Sequence, residues 1–578
     1  MMTGQRVIRA ITVAITAVLL YEFIITTSFF ARHSLELFAP VIVSDLNADL
    51  DFFSKGGSLE SYLFAFHNEH VVATTRAISA LDFSFFGAQY RIHQYAAILA
   101  LTTTLGIIAA LIASLRRNSL DLYASDFGIV AFVGAVVFAP AMVAVVAFPY
   151  FLTHPLATVF GLLVAVFAAL LHRKTRPPLE QILLVIGVIV TGLLTLISGA
   201  HGLLLVLAGL LAPLLMWRPR WDVSTGILIS LALASVVVWK LFFAAETGGL
   251  VGKLFSPSQW PAIVDYVVRI LSLPAHFVAR SLRLTIAFGT ILGLCALSAL
   301  YIAATRVKER KSATLTVFVA LLVGHFLTVA LISFGRAGTP WGAEDPKYLH
   351  YAAIICGATA CTLYVILRNH ALARLAVLGI CTILGALFLN QRDYVLTQSR
   401  QFYRTLEVLG TAAAVGVKDP EANSLLGTDE NTAKGYDYLR ANNLNLFSRR
   451  PMQLIGKEIS SLAVGGSCTG SVVLDQPMPM QRRSDQGRRL EGWAFDKQNA
   501  RHKDETILVT DATGRIVGIG TFISRRPDIF KLLKDEAISP EAPLGWRAYV
   551  GPIPSAKFSV YVANLPEGTA CKFADKDV

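Results

Sequence analysis

The sequence predicts a polytopic α-helical membrane protein with a separate, polar C-terminal third. Three observations lead there. Only 16% of the 578 residues are charged while 54% are apolar, with a mean hydropathy of +0.57; an average soluble domain carries about 25% charged residues. The apolar residues cluster in runs of about 20 between positions 8 and 390, long enough to cross a bilayer core of about 30 Å. Between these runs the basic residues fall in short tracts: Arg116-Arg117, Arg173 to Arg176, Arg218-Pro219-Arg220 and Arg306 to Lys311. That is the pattern of the positive-inside bias. An ordinary cytosolic protein and a disordered chain are both excluded.

Taken in order, about eleven spans are expected. They cover roughly 8–30, 94–115, 127–148, 156–172, 181–198, 202–217, 225–244, 283–305, 314–334, 349–367 and 372–390. Arg6 and Arg9 precede the first, whose apolar stretch is too long for a signal-peptide core, so it reads as a retained anchor. With the N-terminus cytoplasmic, every basic tract above falls inside. The turns Pro149 to Pro155 and Gly199-Ala200-His201 fall outside and carry no Lys or Arg. An odd span count places residues 391–578 outside as well. Of the net charge of +12, residues 391–578 carry +3 and residues 1–390 carry +9. The excess sits in the inner tracts, and no nucleic-acid partner is expected.

Three outer segments exceed simple turns. Residues 31–93 hold an acidic run, Asp45, Asp49 and Asp51, then His67-Asn68-Glu69-His70, then Arg76 and Asp82. The many aromatics of this segment (Phe52, Phe53, Tyr62, Phe83, Phe85 among them) predict short amphipathic helices folded on the membrane surface. The second segment, about 245–282, contains Trp260-Pro261, Arg269 and Pro274-Ala275-His276. The third, 335–348, contains Gly335-Arg336 and ends Asp345-Pro346-Lys347-Tyr348. Carboxylates and imidazoles beside Arg and Lys suit acid–base work next to a bound anion: the carboxylate takes a proton, and the cations hold phosphate oxygens. Plainer readings exist for each. The acids could be a solvated helix start, and Arg336 and Lys347 could snorkel from span ends. His67 and His70 lack a third ligand, so no metal and no cofactor are expected. Glu22 in the first span is expected to face the bundle. His325 reads as a satisfied core histidine.

The two cysteines of the polar third, Cys468 and Cys571, bracket its last segment and are expected to pair in an oxidising compartment. Residues 391–466 read as a helical linker, with apolar positions in Phe402 to Val415 and Tyr436 to Phe447. Residues 467–578 read as a small β-sandwich: Ile507 to Thr510, the turn Asp511-Ala512-Thr513-Gly514, Arg515 to Ile519, and later Phe558 to Val562. Trp493 is read as a core residue, with sugar stacking as the alternative.

The order of these motifs resembles the bacterial GT-C type of integral-membrane glycosyltransferase, in particular a group with a first-loop His-Asn-Glu-His motif. The matching residues are Asp45 to Asp51, His67 to His70, Ser198-Gly199-Ala200-His201-Gly202-Leu203-Leu204, Gly335-Arg336 and Lys347-Tyr348, with Tyr438-Leu439 and Leu444 to Phe447 beyond the bundle. Val71 stands where Arg is usual, and Lys347 replaces the commoner Arg. The resemblance implies a GT-C-like transmembrane domain over 1–390. It implies transfer of a sugar from a polyprenyl-phosphate donor to a cell-envelope glycan or lipid acceptor, on the outer face of the bacterial inner membrane. Asp45 would accept the acceptor's proton, with Asp49 or Asp51 as substitutes and Glu69 beside them. His67 and His70 would position the acceptor, and Arg336, Lys347 and Tyr348 would hold the donor phosphate. The alternative is a non-enzymatic membrane partner in polysaccharide assembly or transport.

Overall fold

The computed structural model describes all residues except 1, 38–45, 68–69, 116–118, 173–176, 218–221, 243–256, 280, 306–311, 338, 340–341, 423–429, 482–483, 497–504, 534–541, 554–556 and 578. The basic tracts between spans therefore lie outside the described residues. The chain divides into two compact units. One comprises Met1–Leu37, Leu59–Ile78 and His93–Leu396; the other comprises Phe38–Ser58, Ser79–Ile92 and Thr397–Val578.

Among the described residues, ten helices are long and apolar enough to cross a membrane. The helices of the first unit that carry the argument are α1 (Met2–His33), α2 (Leu120–Val137), α3 (Thr153–His172), α4 (Gly202–Met216), α5 (Trp260–His276), α6 (Leu282–Thr305), α7 (Ala313–Arg336), α8 (Leu349–Leu367) and α9 (Ala371–Leu389). α4 is apolar but has only 15 residues. The expected span 127–148 is displaced: α2 ends at Val137, and a separate short helix follows over Met142–Ala147. Pro140 lies in the break, where a missing N–H and the ring's bulk interrupt the helical ladder. α5 was not anticipated; its Ile263, Tyr266 and Ile270 are buried at helical spacing while Trp260 and Val264 are exposed.

Two acids inside this unit are paired with arginines, as low dielectric favours. Asp126 of α2 takes Arg368 Nε at 3.2 Å and the Tyr364 hydroxyl at 2.6 Å, and Asp121 takes Arg374 at 2.6 Å. Glu22 is buried, with its carboxyl against Gly385 of α9, so it faces the bundle as expected. His325 is also a satisfied core residue: Nδ1 lies 2.9 Å from the Leu321 carbonyl and Nε2 lies 2.9 Å from the Thr158 hydroxyl.

The segment between α1 and the next apolar helix forms helices over Asn47–Lys55, Leu59–Phe64 and Ala73–Phe85, with a two-stranded hairpin pairing Phe66-His67 with His70-Val71. Arg76, almost fully buried, ties the turn before that hairpin by donating to the carbonyls of Tyr62 and Ala65.

The second unit contains an eight-stranded sheet. Its strands are β1 (Ala463–Val464), β2 (Cys468–Pro479), β3 (Gln486–Asp496), β4 (Glu505–Asp511), β5 (Ile516–Arg525), β6 (Pro543–Val550), β7 (Lys557–Asn564) and β8 (Thr569–Asp577). In these labels the spatial order is β1-β8-β7-β4-β5-β6-β3-β2. The expected sandwich is corrected. The strands form one continuous sheet curled into a half-barrel, rather than two sheets packed face to face. Curling lets the sheet bury its own concave face, where Leu490, Val509, Trp546 and Val560 form the core. Cys468 of β2 and Cys571 of β8 are joined by the expected disulfide, with Cα atoms 5.8 Å apart. The turn after β4 follows the sequence: Asp511 Oδ1 accepts from the Thr513 and Arg515 amides, and Gly514 supplies the left-handed φ of +86°. Trp493 is half-buried and packs on the Phe495, Ile529 and Leu544 cluster; the deeply buried tryptophan is Trp546. The helix Arg400–Val415 lies over the sheet, and buried Asp419 secures the chain beyond it by accepting from Tyr549 at 2.7 Å and Arg489 at 3.2 Å.

Candidate functional sites

In the first unit a group of cations and phenols gathers where α7 ends and α8 begins. Arg336 is the last residue of α7. A single turn, Pro346–Tyr348, opens α8, and Asp345 caps it by accepting the Lys347 amide at 3.0 Å. The same carboxylate pairs with Lys347 Nζ at 2.9 Å, holding the ammonium 5.1 Å from the centre of the Tyr348 ring. Tyr266 of α5 meets Tyr348 edge-on, with ring centres 6.5 Å apart, and the two phenols are hydrogen-bonded. Burial, and then Tyr348, hold the Tyr266 phenol above its ordinary pKa, while Lys347 and Arg336 pull it down. One turn further along α5, Arg269 bonds to Asp265 at 2.8 Å and to Glu344 at 2.9 Å, tying α5 to the segment before α8. Neutral phenols that can donate, next to Arg and Lys, form a set able to hold phosphate oxygens.

Of the residues expected from sequence to bind phosphate, Arg336, Lys347 and Tyr348 are thus brought together. Tyr266 and Arg269 are additions. The sequence signal for them was an amphipathic stretch at 263–270 in an outer segment, which on a helix sets Tyr266 and Arg269 at neighbouring positions.

The second unit contains an acid site. Asp49 and Asp82 are both fully buried. The Tyr90 amide donates to Asp82 Oδ2 at 2.7 Å, and its hydroxyl donates to Asp49 Oδ2 at 3.3 Å. Asp82 Oδ1 has no hydrogen-bond partner among the described residues. Burial raises the Asp82 carboxyl from 3.8 to about 7; the nearby Asp49 charge adds to this, and the Tyr90 amide opposes it. A carboxyl poised near neutrality can exchange a proton at physiological pH.

The backbone that delivers Tyr90 is strained. Gly87, Ala88 and Tyr90 have φ of 70°, 57° and 56°, conformations that cost non-glycine residues of order 1–3 kcal/mol each. Asn445, itself at φ 50°, holds this turn: its side-chain amide donates to the Ala88 carbonyl at 2.6 Å and its backbone amide to Gly87 at 2.8 Å. Gln89 returns the contact, donating to the Asn445 carbonyl at 2.8 Å and the Ser448 hydroxyl at 2.7 Å. Phe53 stacks on Phe83 at 4.2 Å beside the acids. The stretch Leu444 to Phe447 singled out in the sequence therefore contains the clamp of this turn.

Of the expected acid–base residues, Asp49 is in this site. Asp45, Asn68 and Glu69 lie outside the described residues, and so do the side chains of His67 and His70, whose backbones pair across the hairpin. Asp51 is elsewhere on its helix, paired with Lys55 at 2.6 Å. Asp82 was not assigned a role from sequence. No local pattern marks it, because its partner Tyr90 reaches it only through a left-handed turn. Cys468, Asp496 and Cys571 lie at metal-ligand spacing, but the disulfide takes both sulfurs. No protein-family model, curated protein or solved structure matches this chain.

Proposed function

We propose that this chain is a GT-C-like glycosyltransferase of the bacterial inner membrane, with eleven spans and a cytoplasmic N-terminus. It would transfer a sugar from a polyprenyl-phosphate donor to a cell-envelope glycan or lipid on the outer face. The observation that carries the reading is the group formed by Arg336, Lys347, Tyr348 and Tyr266 at the adjoining ends of two apolar helices. A phosphate carried on a lipid has to be met at that level, where a span emerges, and by donors that need no metal. α4, although short, is apolar throughout, which supports counting it as the sixth span.

The reaction is a displacement at the anomeric carbon. The acceptor hydroxyl attacks, a first-loop carboxylate takes its proton, and the bond to phosphate breaks. The leaving phosphate's growing charge is stabilised by Arg336 and Lys347. Asp45 is the preferred base, with Asp49 or Asp51 as substitutes and Glu69 beside them.

The test is transfer by the full chain in nanodiscs, using a panel of radiolabelled polyprenyl-phosphate sugars and cell-envelope extract as acceptor. Arg336→Gln and Lys347→Gln should each lower transfer by about 100-fold, the scale of losing one charge-stabilising donor. Asp45→Asn should abolish transfer without loss of expression. Saturable binding of polyprenyl phosphate without any transfer would favour the assembly partner, and absence of both would reject the proposal.

A further inference from the structure

The displacement reaction gives Asp82 no role, yet this acid lies where four segments of the second unit meet. Asp49 comes from the helix Asn47–Lys55 and Asp82 from the helix Ala73–Phe85. Tyr90, itself buried, bonds to both: its amide donates to Asp82 Oδ2 at 2.7 Å and its hydroxyl to Asp49 Oδ2 at 3.3 Å. Its ring meets Phe83 edge-on, with centres 6.1 Å apart, and Phe83 stacks on Phe53. The turn that delivers Tyr90 is held in left-handed backbone by Asn445. Asp82 Oδ1 is buried with no hydrogen-bond partner among the described residues. Asp49 and Tyr90 are the titratable groups that act on Asp82. Asp51 and Lys55, on the helix of Asp49, are half-exposed and pair with each other. Arg76, on the helix of Asp82, donates instead to the carbonyls of Tyr62 and Ala65. The helix Glu430–Ala441 packs on Asn47–Lys55 where Gly435 meets Leu50, and its buried titratable group is Tyr436.

We propose that Tyr90, bridging Asp49 and Asp82, is the bolt of an acid-closed latch: it holds the Gly87–Tyr90 turn shut while the acid pair carries a proton, and the turn opens as that proton is lost. Two carboxylates ionised side by side in a site without water repel each other and lack hydration. Opening the turn hydrates them and relaxes the left-handed backbone at Ala88 and Tyr90. The sign follows from linkage. Shut, Asp82 is held at about 7, chiefly by burial, with the Asp49 charge adding and the Tyr90 amide opposing; hydrated, it returns to its ordinary 3.8. The shut form therefore has its full advantage below about pH 4 and loses it as pH rises through about 7. While the latch is shut, Asp49 is closed to any acceptor hydroxyl, but the latch stands or falls without the transfer reading.

Hydrogen exchange of the peptide containing Tyr90 tests this, read by mass spectrometry on the full chain in nanodiscs from pH 5 to pH 8. The rates are corrected for the intrinsic pH dependence of amide exchange, so that they report opening of the turn. Opening should rise by about tenfold per pH unit between pH 5 and pH 7 and level off above, as linkage to one raised carboxyl requires. Asp82→Asn keeps the shape and removes the charge, and should hold opening at its acid level at every pH. Asp49→Asn, which removes the smaller contribution, should make the rise level off at a lower pH. Asn445→Ala should speed exchange by the same factor at every pH, because the clamp does not titrate. Opening that is flat with pH in the wild type would overturn the latch, and so would a full rise that survives in Asp82→Asn. An equal rise in peptides from the half-barrel strands would also overturn it, since that marks loss of global stability and not a local opening. The wild-type profile, with those strands as reference, decides the matter even where a variant fails to fold.

Discussion

Substituting Gly289 with alanine tests whether the placement of α5 matters to the cation–phenol group. Gly289 lies on α6 where α5 crosses it. A Cβ built there would lie 2.3 Å from the Val268 carbonyl oxygen and 2.9 Å from both the Ser272 amide and Ser272 Cβ. Ordinary contact begins near 3.4 Å, so the helices must separate by about 1 Å, and backbone atoms cannot turn aside as a side chain can. Overpacking of this kind costs about 1–3 kcal/mol. Alanine's better helix propensity returns up to about 1 kcal/mol, leaving a modest net destabilisation. The larger effect is positional. Tyr266 and Arg269 sit on the displaced helix, on either side of Val268, and a shift of 1 Å can cost about 100-fold in a reaction that depends on alignment. Gly293, one turn along the same face, is the control: its Cβ would meet only Leu271 Cδ1, at 3.2 Å, the end of a flexible side chain. Thermal unfolding and polyprenyl-phosphate binding of Gly289→Ala and Gly293→Ala should be compared in nanodiscs. Gly289→Ala should lose binding and some stability, and Gly293→Ala should be neutral or slightly stabilised. Equal behaviour of the two variants would refute the claim that the crossing of α5 and α6 sets the geometry of the site.

Other expectations concern the second unit. Because burial raises Asp82 from 3.8 to about 7, the folded chain holds that proton more tightly than the unfolded chain. The stability this contributes is fully present below about pH 4 and is lost as pH rises through about 7; Asp82→Asn should flatten that slope in denaturation measured from pH 4 to pH 8. Asn445→Ala should destabilise the Gly87–Tyr90 turn by about 1–3 kcal/mol by leaving the Ala88 carbonyl unpaired, seen as faster hydrogen exchange of the Tyr90 amide. Asn445→Gly, which keeps the left-handed backbone but not the side-chain bond, should exchange just as fast if the bond is what matters. Breaking the Cys468–Cys571 bridge, which spans 103 residues, should lower the stability of the half-barrel by about 2–5 kcal/mol, measured as denaturant unfolding of Cys468→Ser/Cys571→Ser against wild type.

Much of the membrane-embedded architecture was legible in the order of residues, because span length and apolarity are local properties. A run of about 20 apolar residues has to satisfy its backbone internally whatever its neighbours do. Arg336 and Lys347-Tyr348 were legible for the same reason: each marks a span end, and consecutive spans joined by a short loop bring their ends together. The disulfide followed from two lone cysteines in one polar segment, and the Asp511–Gly514 turn from its own side-chain chemistry. Tertiary structure decided the rest. The strands after Cys468 could be recognised one by one, but whether they form two sheets or one curled sheet depends on pairings between residues far apart, such as β8 with β7 and β6 with β3. Tyr266 joins Tyr348 because α5 packs on α6, α7 and α8, which are separated from it along the chain. Asp82 becomes a carboxyl poised near neutrality only because a left-handed turn, clamped by a residue more than 350 positions away, returns Tyr90 to it and closes off water. Burial and charge proximity are properties of the folded surroundings, and no local pattern of residue types encodes them.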